Sequence, residues 1–204
     1  MLIKWINRLA VMYRNRKVGV NSNQVDKAMR LPQNHDCECE KIVMETLKFN
    51  VSELIEFVKK DWTLGDLHGL NHWRRVHEHG CMLCVEGVNM NVVSAFAYLH
   101  DSARLSDCRD LQHGPRAMDN VMAIRHTILK NLSDDEIHSL CEACRLHTTT
   151  HRTGDITIDT CFDADRLDLD RCGIIPNPEC MATPKGVEFA INFKEFKKRI
   201  RYKL

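Results

Sequence analysis

Glycine and proline are scarce, nine and five in 204 residues, and so few turn-formers argue against a fold of many short strands. Alternation of apolar and polar residues, the mark of a half-buried strand, is nearly absent; Asp155-Ile-Thr-Ile158 is the one short candidate. No apolar run approaches the roughly 18 to 20 residues of a membrane-spanning helix. The segment Met1–Ala10 interrupts its apolar residues with Lys4 and Arg8, so it lacks the continuous apolar stretch of a secretory signal. The ten cysteines therefore read as reduced thiols of a cytoplasmic protein rather than as a disulfide framework. Internal repeats and low-complexity tracts are also missing.

What remains is the composition of a soluble globular domain, 44% hydrophobic and 28% charged. Its 29 basic and 28 acidic residues nearly cancel, but they are unevenly placed. Residues 1–30 carry Lys4, Arg8, Arg14, Arg16, Lys17, Lys27 and Arg30 against Asp26 alone, and residues 194–204 carry six basic residues against Glu195. The middle is acidic and both ends are basic. Leu2, Ile6, Leu9 and Tyr13 are spaced as on an amphipathic helix, read here as packed on the domain in preference to a membrane or partner surface. Contact of the basic ends with nucleic acid or a membrane surface is an accessory at most. The expected organisation is a basic extension and linker over 1–39, one folded domain over 40–193 and a basic tail over 194–204.

Helical patterns dominate from Glu40. Two helices are expected on either side of Asn50, with Ser52 as N-cap candidate. Others are expected over His68–Val85, Asn91–His100, Gly114–Leu129 and Thr160–Arg171. Ser133-Asp-Asp-Glu136 is a capping-box pattern opening a helix through His147. Thr183-Pro184 is an N-cap with a first-turn proline, opening a final helix into the basic tail. The fold class expected is all-α.

The chemistry centres on the dyad His100-Asp101, with His72 upstream in His68-Gly-Leu-Asn-His72-Trp-Arg-Arg-Val76 and Asp165 downstream in Ala164-Asp165-Arg166-Leu167. Imidazoles and carboxylates suit magnesium or a divalent first-row ion. Four such ligands leave coordination positions open, and an open position can acidify water or polarise a phosphoryl oxygen. Neighbouring residues on a helix diverge by about 100°, so His100 and Asp101 converge on one ion only near a helix end. Two further helices would close the site.

This ordered set, His72, His100-Asp101 and Asp165, resembles the HD superfamily of metal-dependent phosphohydrolases over roughly residues 68–190. The resemblance implies an HD-type helical bundle and a divalent metal cofactor, with Mn, Fe, Mg, Ni, Co and Zn not distinguished. It also implies a small-molecule phosphate substrate, a nucleotide in first place. Among Asp163, Asp165 and Asp168, the family's Ala-Asp-(Arg/Lys)-Leu pattern selects Asp165; Asp168, one turn on, reads as outer support or as a partner of Arg166 or Arg171. His113-Gly-Pro-Arg-Ala117 and Arg145-Leu-His147-Thr-Thr149 are similar to the extra histidines of a two-metal branch that includes hydrolases of dinucleoside tetraphosphates. That likeness would put Asp101 between two ions, with His113 and His147 on the second. The other reading gives these histidines to substrate binding. Asp101 and Arg104 are the candidate catalytic residues: Arg104 follows the dyad where many relatives have a lysine or a carboxylate, and its guanidinium can clamp a phosphate but cannot serve as an acid. Arg75, Arg116 and Lys185 are weaker phosphate candidates. His68, His77, His79, His126, His138 and His151 read as surface or local hydrogen bonding, with His126 and His151 as reserve ligands. The runner-up function is a nucleotide-binding sensor or interaction module without turnover.

The cysteines offer a competing site. Cys81-Met-Leu-Cys84 and Cys141-Glu-Ala-Cys144 together could hold zinc, but both fall inside helical patterns, where cysteine serves as a small buried hydrophobe. The latter reading is preferred. Cys37-Glu-Cys39 has no identified role.

Overall fold

A computed structural model describes residues 43–199. The readings made for the N-terminal extension, for Cys37-Glu-Cys39 and for the last five residues lie outside this range. After a helical turn over residues 43–46 come α1 (Val51–Lys60), α2 (Leu70–Leu83), α3 (Met90–Leu99), α4 (His113–Ile124), α5 (Asp134–Leu146), α6 (Ile156–Arg166), α7 (Pro184–Ile191) and α8 (Phe193–Arg199). Short 3-10 turns at Leu169–Cys172 and Pro178–Cys180 precede α7. The described residues contain no strand, and the fold is all-α.

Helix α3 is the axis of the bundle. Every residue from Val92 to Asp101 is buried, because the helix packs against α1, α2, α5 and α6 together. A helix hydrophobic on all sides needs such complete cover. Asn89 starts it, its side-chain oxygen accepting from the backbone N–H groups of Asn91 and Val92. Trp73, Phe96, Phe162, Leu54, Leu99, Leu140 and Leu167 fill the surrounding core, each contributing on the order of 1.5–3 kcal/mol by leaving water. Two glycines allow close helix approach. A Cβ on Gly80 of α2 would lie 2.4 Å from Val93 Cγ1 of α3, and one on Gly114 of α4 would lie 2.6 Å from the Cys144 carbonyl oxygen of α5. Both contacts join helices that carry candidate ligands.

Glu136 ties three segments together at the opposite end. It completes the expected capping box with Ser133 and also accepts from Lys48 Nζ at 2.9 and 3.0 Å, Asn89 Nδ2 at 3.0 Å and Asn91 Nδ2 at 3.1 Å. Burial pushes its carboxyl up, but hydrogen bonds from Ser133, Lys48 and Asn89 outweigh that and hold it at about 2.

Several boundaries differ from the sequence reading. Asn50, not Ser52, caps α1, accepting from the N–H groups of Ser52 and Glu53. Asp155-Ile-Thr-Ile158 is no strand: Asp155 caps α6, accepting from Thr157 and Ile158, so the apparent alternation is a first helical turn. The helix bearing Asp165 runs from Ile156 to Arg166 and gives way to a 3-10 turn that ends at Gly173, with φ of 74°. Helix α4 stops at Ile124, whose carbonyl accepts from Thr127 and Leu129 in a turn. Thr183 and Pro184 open α7 as expected, but the helix breaks at Asn192, whose carbonyl accepts from Glu195 and Phe196 to start α8.

Candidate metal centre

Helix ends deliver the candidate ligands. His100 is the C-cap residue of α3, with Asp101 directly after it; His147 is the C-cap of α5; His113 opens α4; Asp165 lies in the last turn of α6; and His72 sits in the first turn of α2. Five of the six are buried: His72, His100, Asp101, His113 and His147. The Asp165 side chain is 21% exposed, so solvent reaches the group along its edge.

The six form two groups. In the first, His72 Nε2 lies 3.0 Å from His100 Nε2 and 3.4 Å from Asp165 Oδ1, and Asp101 Oδ2 is 3.5 and 3.6 Å from the two imidazole nitrogens. In the second, His113 Nε2 lies 2.8 Å from His147 Nε2 and 3.1 Å from Asp101 Oδ1, with His147 Nε2 at 3.8 Å from the same oxygen. Asp101 thus turns one oxygen to each group.

The partners of each ring fix where its proton sits. The other ring nitrogen of each histidine faces an acceptor. His72 Nδ1 donates to Asp168 Oδ2 at 2.7 Å, His100 Nδ1 to the Phe96 and Ala97 carbonyls, His147 Nδ1 to Cys144 O at 2.7 Å and His113 Nδ1 to Asp110 O. A neutral imidazole has one N–H, so with its proton on Nδ1 the Nε2 of His72 and of His100 is a lone pair. Burial, seconded by Arg171, keeps the His72 pKa low, and burial takes that of His100 down to about 3; both rings are neutral near pH 7. Burial raises Asp165, but the surrounding imidazoles and Arg171 bring it to about 2. Burial likewise opposes the charge on Asp101, yet the imidazoles around it, His68 Nδ1 among them at 2.9 Å, hold its carboxyl well below the usual carboxylate range. Two lone pairs 3.0 Å apart beside two carboxylates repel unless a cation lies between them. Ligands about 2.0–2.2 Å from one ion stand roughly 3–3.6 Å from each other. The first group has the atoms, the charge and the spacing to hold a divalent cation.

An outer layer fixes this geometry. Asp168, buried, takes the His72 N–H and is gripped by Arg75, Nε to Oδ1 at 2.6 Å and Nη2 to Oδ2 at 2.9 Å. His79 Nδ1 donates to Ala164 O at 3.0 Å, bracing the turn that carries Asp165. Arg166 donates to the carbonyls of Thr150, His151 and Cys180, and Asp163 accepts from Ala182 N, Thr183 N and Thr183 Oγ1, joining α6 to α7. The cluster Asp163, Asp165 and Asp168 is therefore divided between a helix junction, the metal-capable group and its support.

His68 corrects the sequence reading. It is buried and its Nδ1 lies 2.9 Å from Asp101 Oδ2. Its position four residues before His72 was the available signal, but Gly69 starts α2 after it, so helical spacing alone does not place it. Arg75 and Arg116 are held by Asp168 and Asp110, and Lys185 donates to Cys84 O. His126 and His138 are exposed, while His151 meets Met181 O at 3.2 Å; none of the three joins either group. No cysteine among the described residues joins a metal-capable group. Cys81, Cys141 and Cys144 are buried within their helices, and burial pushes the Cys141 and Cys144 thiols up, away from the thiolate that zinc requires.

No family model and no curated protein matches this chain. A solved structure does: a protein described as a predicted HD superfamily hydrolase from an uncultured Thermotogales bacterium, 22% identical, aligned over 78% of this chain and 95% of that one with a TM-score of 0.59. The chain has the HD-domain fold, an all-helical bundle whose buried histidines and aspartates can hold a metal ion. Among the described residues no helix is long and apolar enough to cross a membrane.

Proposed function

We propose that this chain is a metal-dependent phosphohydrolase acting on a nucleotide or a related phosphate ester or anhydride. The observation that carries the reading is the convergence of lone-pair nitrogens and carboxylate oxygens from α2, α3 and α6 on one point, with no N–H or O–H of the group turned inward. His72, His100, Asp101 and Asp165 would hold the first ion; Asp101, His113 and His147 would hold a second at high metal concentration. A bound divalent ion supplies a Lewis acid that lowers the pKa of water and draws charge from a phosphoryl oxygen. The chain's own groups do the rest. Asp168, held by Arg75, keeps the His72 proton on Nδ1, so that Nε2 stays a ligand. The exposed edge of Asp165 marks the approach for substrate, and Arg104 stands at the Asp101 side with a guanidinium fit for phosphate.

The test is a chromatographic assay of the full chain, with Mn²⁺ and with chelator, against mono-, di-, cyclic and dinucleoside polyphosphates. Metal-dependent phosphate release is expected, and Asp101→Ala should abolish it. Tight nucleotide binding without product over long incubation would instead identify a sensor.

A further inference from the structure

The second group contains a cation of the chain's own. Arg104 Nη1 lies 3.3 Å from Asp101 Oδ1 and 3.3 Å from His113 Nε2, the two atoms that a second ion would need. An Nη1 group has two hydrogens, enough to donate to both. Elsewhere the guanidinium is tethered only to loop carbonyls, Nε to Ser106 O at 3.3 Å and Nη2 to Cys108 O at 3.0 Å, so it can leave without opening the core. His147 Nε2 receives no donor from it, and its neighbour there is His113 Nε2 at 2.8 Å. The arginine therefore compensates the second group in part. The guanidinium groups beside the first group are engaged outside it: Arg75 binds the outer carboxylate Asp168, and Arg171 reaches His68 and the carbonyls of Leu67 and Asp168.

We infer that Arg104 is the resident counter-cation of the second group and that a second divalent ion binds there only by displacing it. This rests on the metal reading above and makes the two ion sites unequal: the first is met by the His68 imidazole at Asp101 Oδ2, the second is guarded by a guanidinium. Displacement exchanges a monovalent cation for a divalent one at Asp101 Oδ1 and frees the guanidinium, so occupancy of the second site and the position of Arg104 are two readings of one switch. A side chain that merely braced the loop at Ser106 and Cys108 would not set ion affinity in this selective way.

The experiment is a Mn²⁺ titration of the full-length wild type, Arg104→Gln and Arg104→Lys, by calorimetry and by metal analysis after desalting, with electron paramagnetic resonance to detect spin-coupled ion pairs. Wild type should retain about one ion per chain. Arg104→Gln should retain about two, bind the second at least tenfold more tightly, show the coupled-pair signal, and keep the first affinity within about twofold. Arg104→Lys should resemble wild type, because the charge is kept. Circular dichroism melting checks that both variants are folded, so that the contrast between them reports on charge rather than on structure. An unchanged or weakened second site in Arg104→Gln, with the first intact, overturns the inference and leaves the metal reading standing. Absence of bound Mn²⁺ from both wild type and Arg104→Gln overturns both.

Discussion

At the scale of single residues, the site is governed by where protons sit. The Asp168 carboxylate bonds His72 among the candidate ligands, and it determines which His72 nitrogen is free to act as a ligand. Asp168→Asn keeps the shape but presents an amide in place of the carboxylate that binds both His72 Nδ1 and Arg75. Such outer partners typically weigh about 10- to 100-fold in metal affinity. Asp168→Asn should weaken the first Mn²⁺ by about that factor while the fold persists. Calorimetry decides, and an unaltered dissociation constant would show that the bond is structural only. The four candidate ligands of the first group were read from the motifs of the resembled family; Asp168 was read as outer support, but its pairing with Arg75 was not, because Arg166 and Arg171 stand nearer to it in sequence. His68 was not legible, because its reach to Asp101 depends on the chain path before Gly69 rather than on a helical repeat.

At the scale of elements, candidate ligands meet because helices approach closely at chosen points. Gly114 follows His113, and its Cα faces the same Cys144 carbonyl that accepts from His147 Nδ1. Gly114→Ala would drive a methyl group into that backbone oxygen, which cannot rotate away. The expected cost is about 1–3 kcal/mol, the range for overpacking, together with weaker binding of a second ion as α4 moves from α5. Urea unfolding and Mn²⁺ titration test the two parts; a neutral substitution would mean that the helices are less closely seated.

Glu136 gives a second element-scale prediction, for pH. Its folded pKa of about 2 lies below its ordinary 4.5. The unfolded state therefore takes up the proton first, and the stabilisation is present above pH 4.5 and lost as pH falls toward 2. The stability gap between wild type and Glu136→Gln should shrink across that window. A gap that stays constant from about pH 6 to about pH 3 would exclude the carboxylate as its source. The capping box was legible from Ser133 and Glu136 alone. The bonds to Lys48, Asn89 and Asn91 were not, since they join segments up to 88 residues apart. Helix ends were the least legible feature: Asp155, a cap, imitated a strand edge, and Asn192 broke a helix that periodicity would have continued.

At the scale of the whole molecule, an ion in the first group would link α2, α3 and α6, helices separated widely in sequence. A ligand that binds only the folded state stabilises it by about 2.7 kcal/mol at a hundredfold excess over its dissociation constant. For a domain of this size that corresponds to a rise of roughly 5–10 °C in melting temperature. Chelator-treated protein should melt lower by that amount and recover with Mn²⁺, whereas Asp101→Ala should show no recovery. Bundle class and site order were legible because helical periodicity and motif order survive in one dimension. The division of Asp101 between two groups was implied by the family resemblance alone, whereas the place of Arg104 between Asp101 and His113 emerges only when α3 and α4 are packed together.

The most direct measurement is a crystal of the full chain grown with Mn²⁺ at a concentration that saturates the first site, with anomalous scattering recorded at a wavelength where manganese is strong. The result expected is an anomalous peak within about 2.0–2.4 Å of His72 Nε2, His100 Nε2, Asp101 Oδ2 and Asp165 Oδ1. A well-ordered crystal with these side chains closed on one another and no manganese among them, at a concentration that saturates binding in solution, would contradict the metal centre.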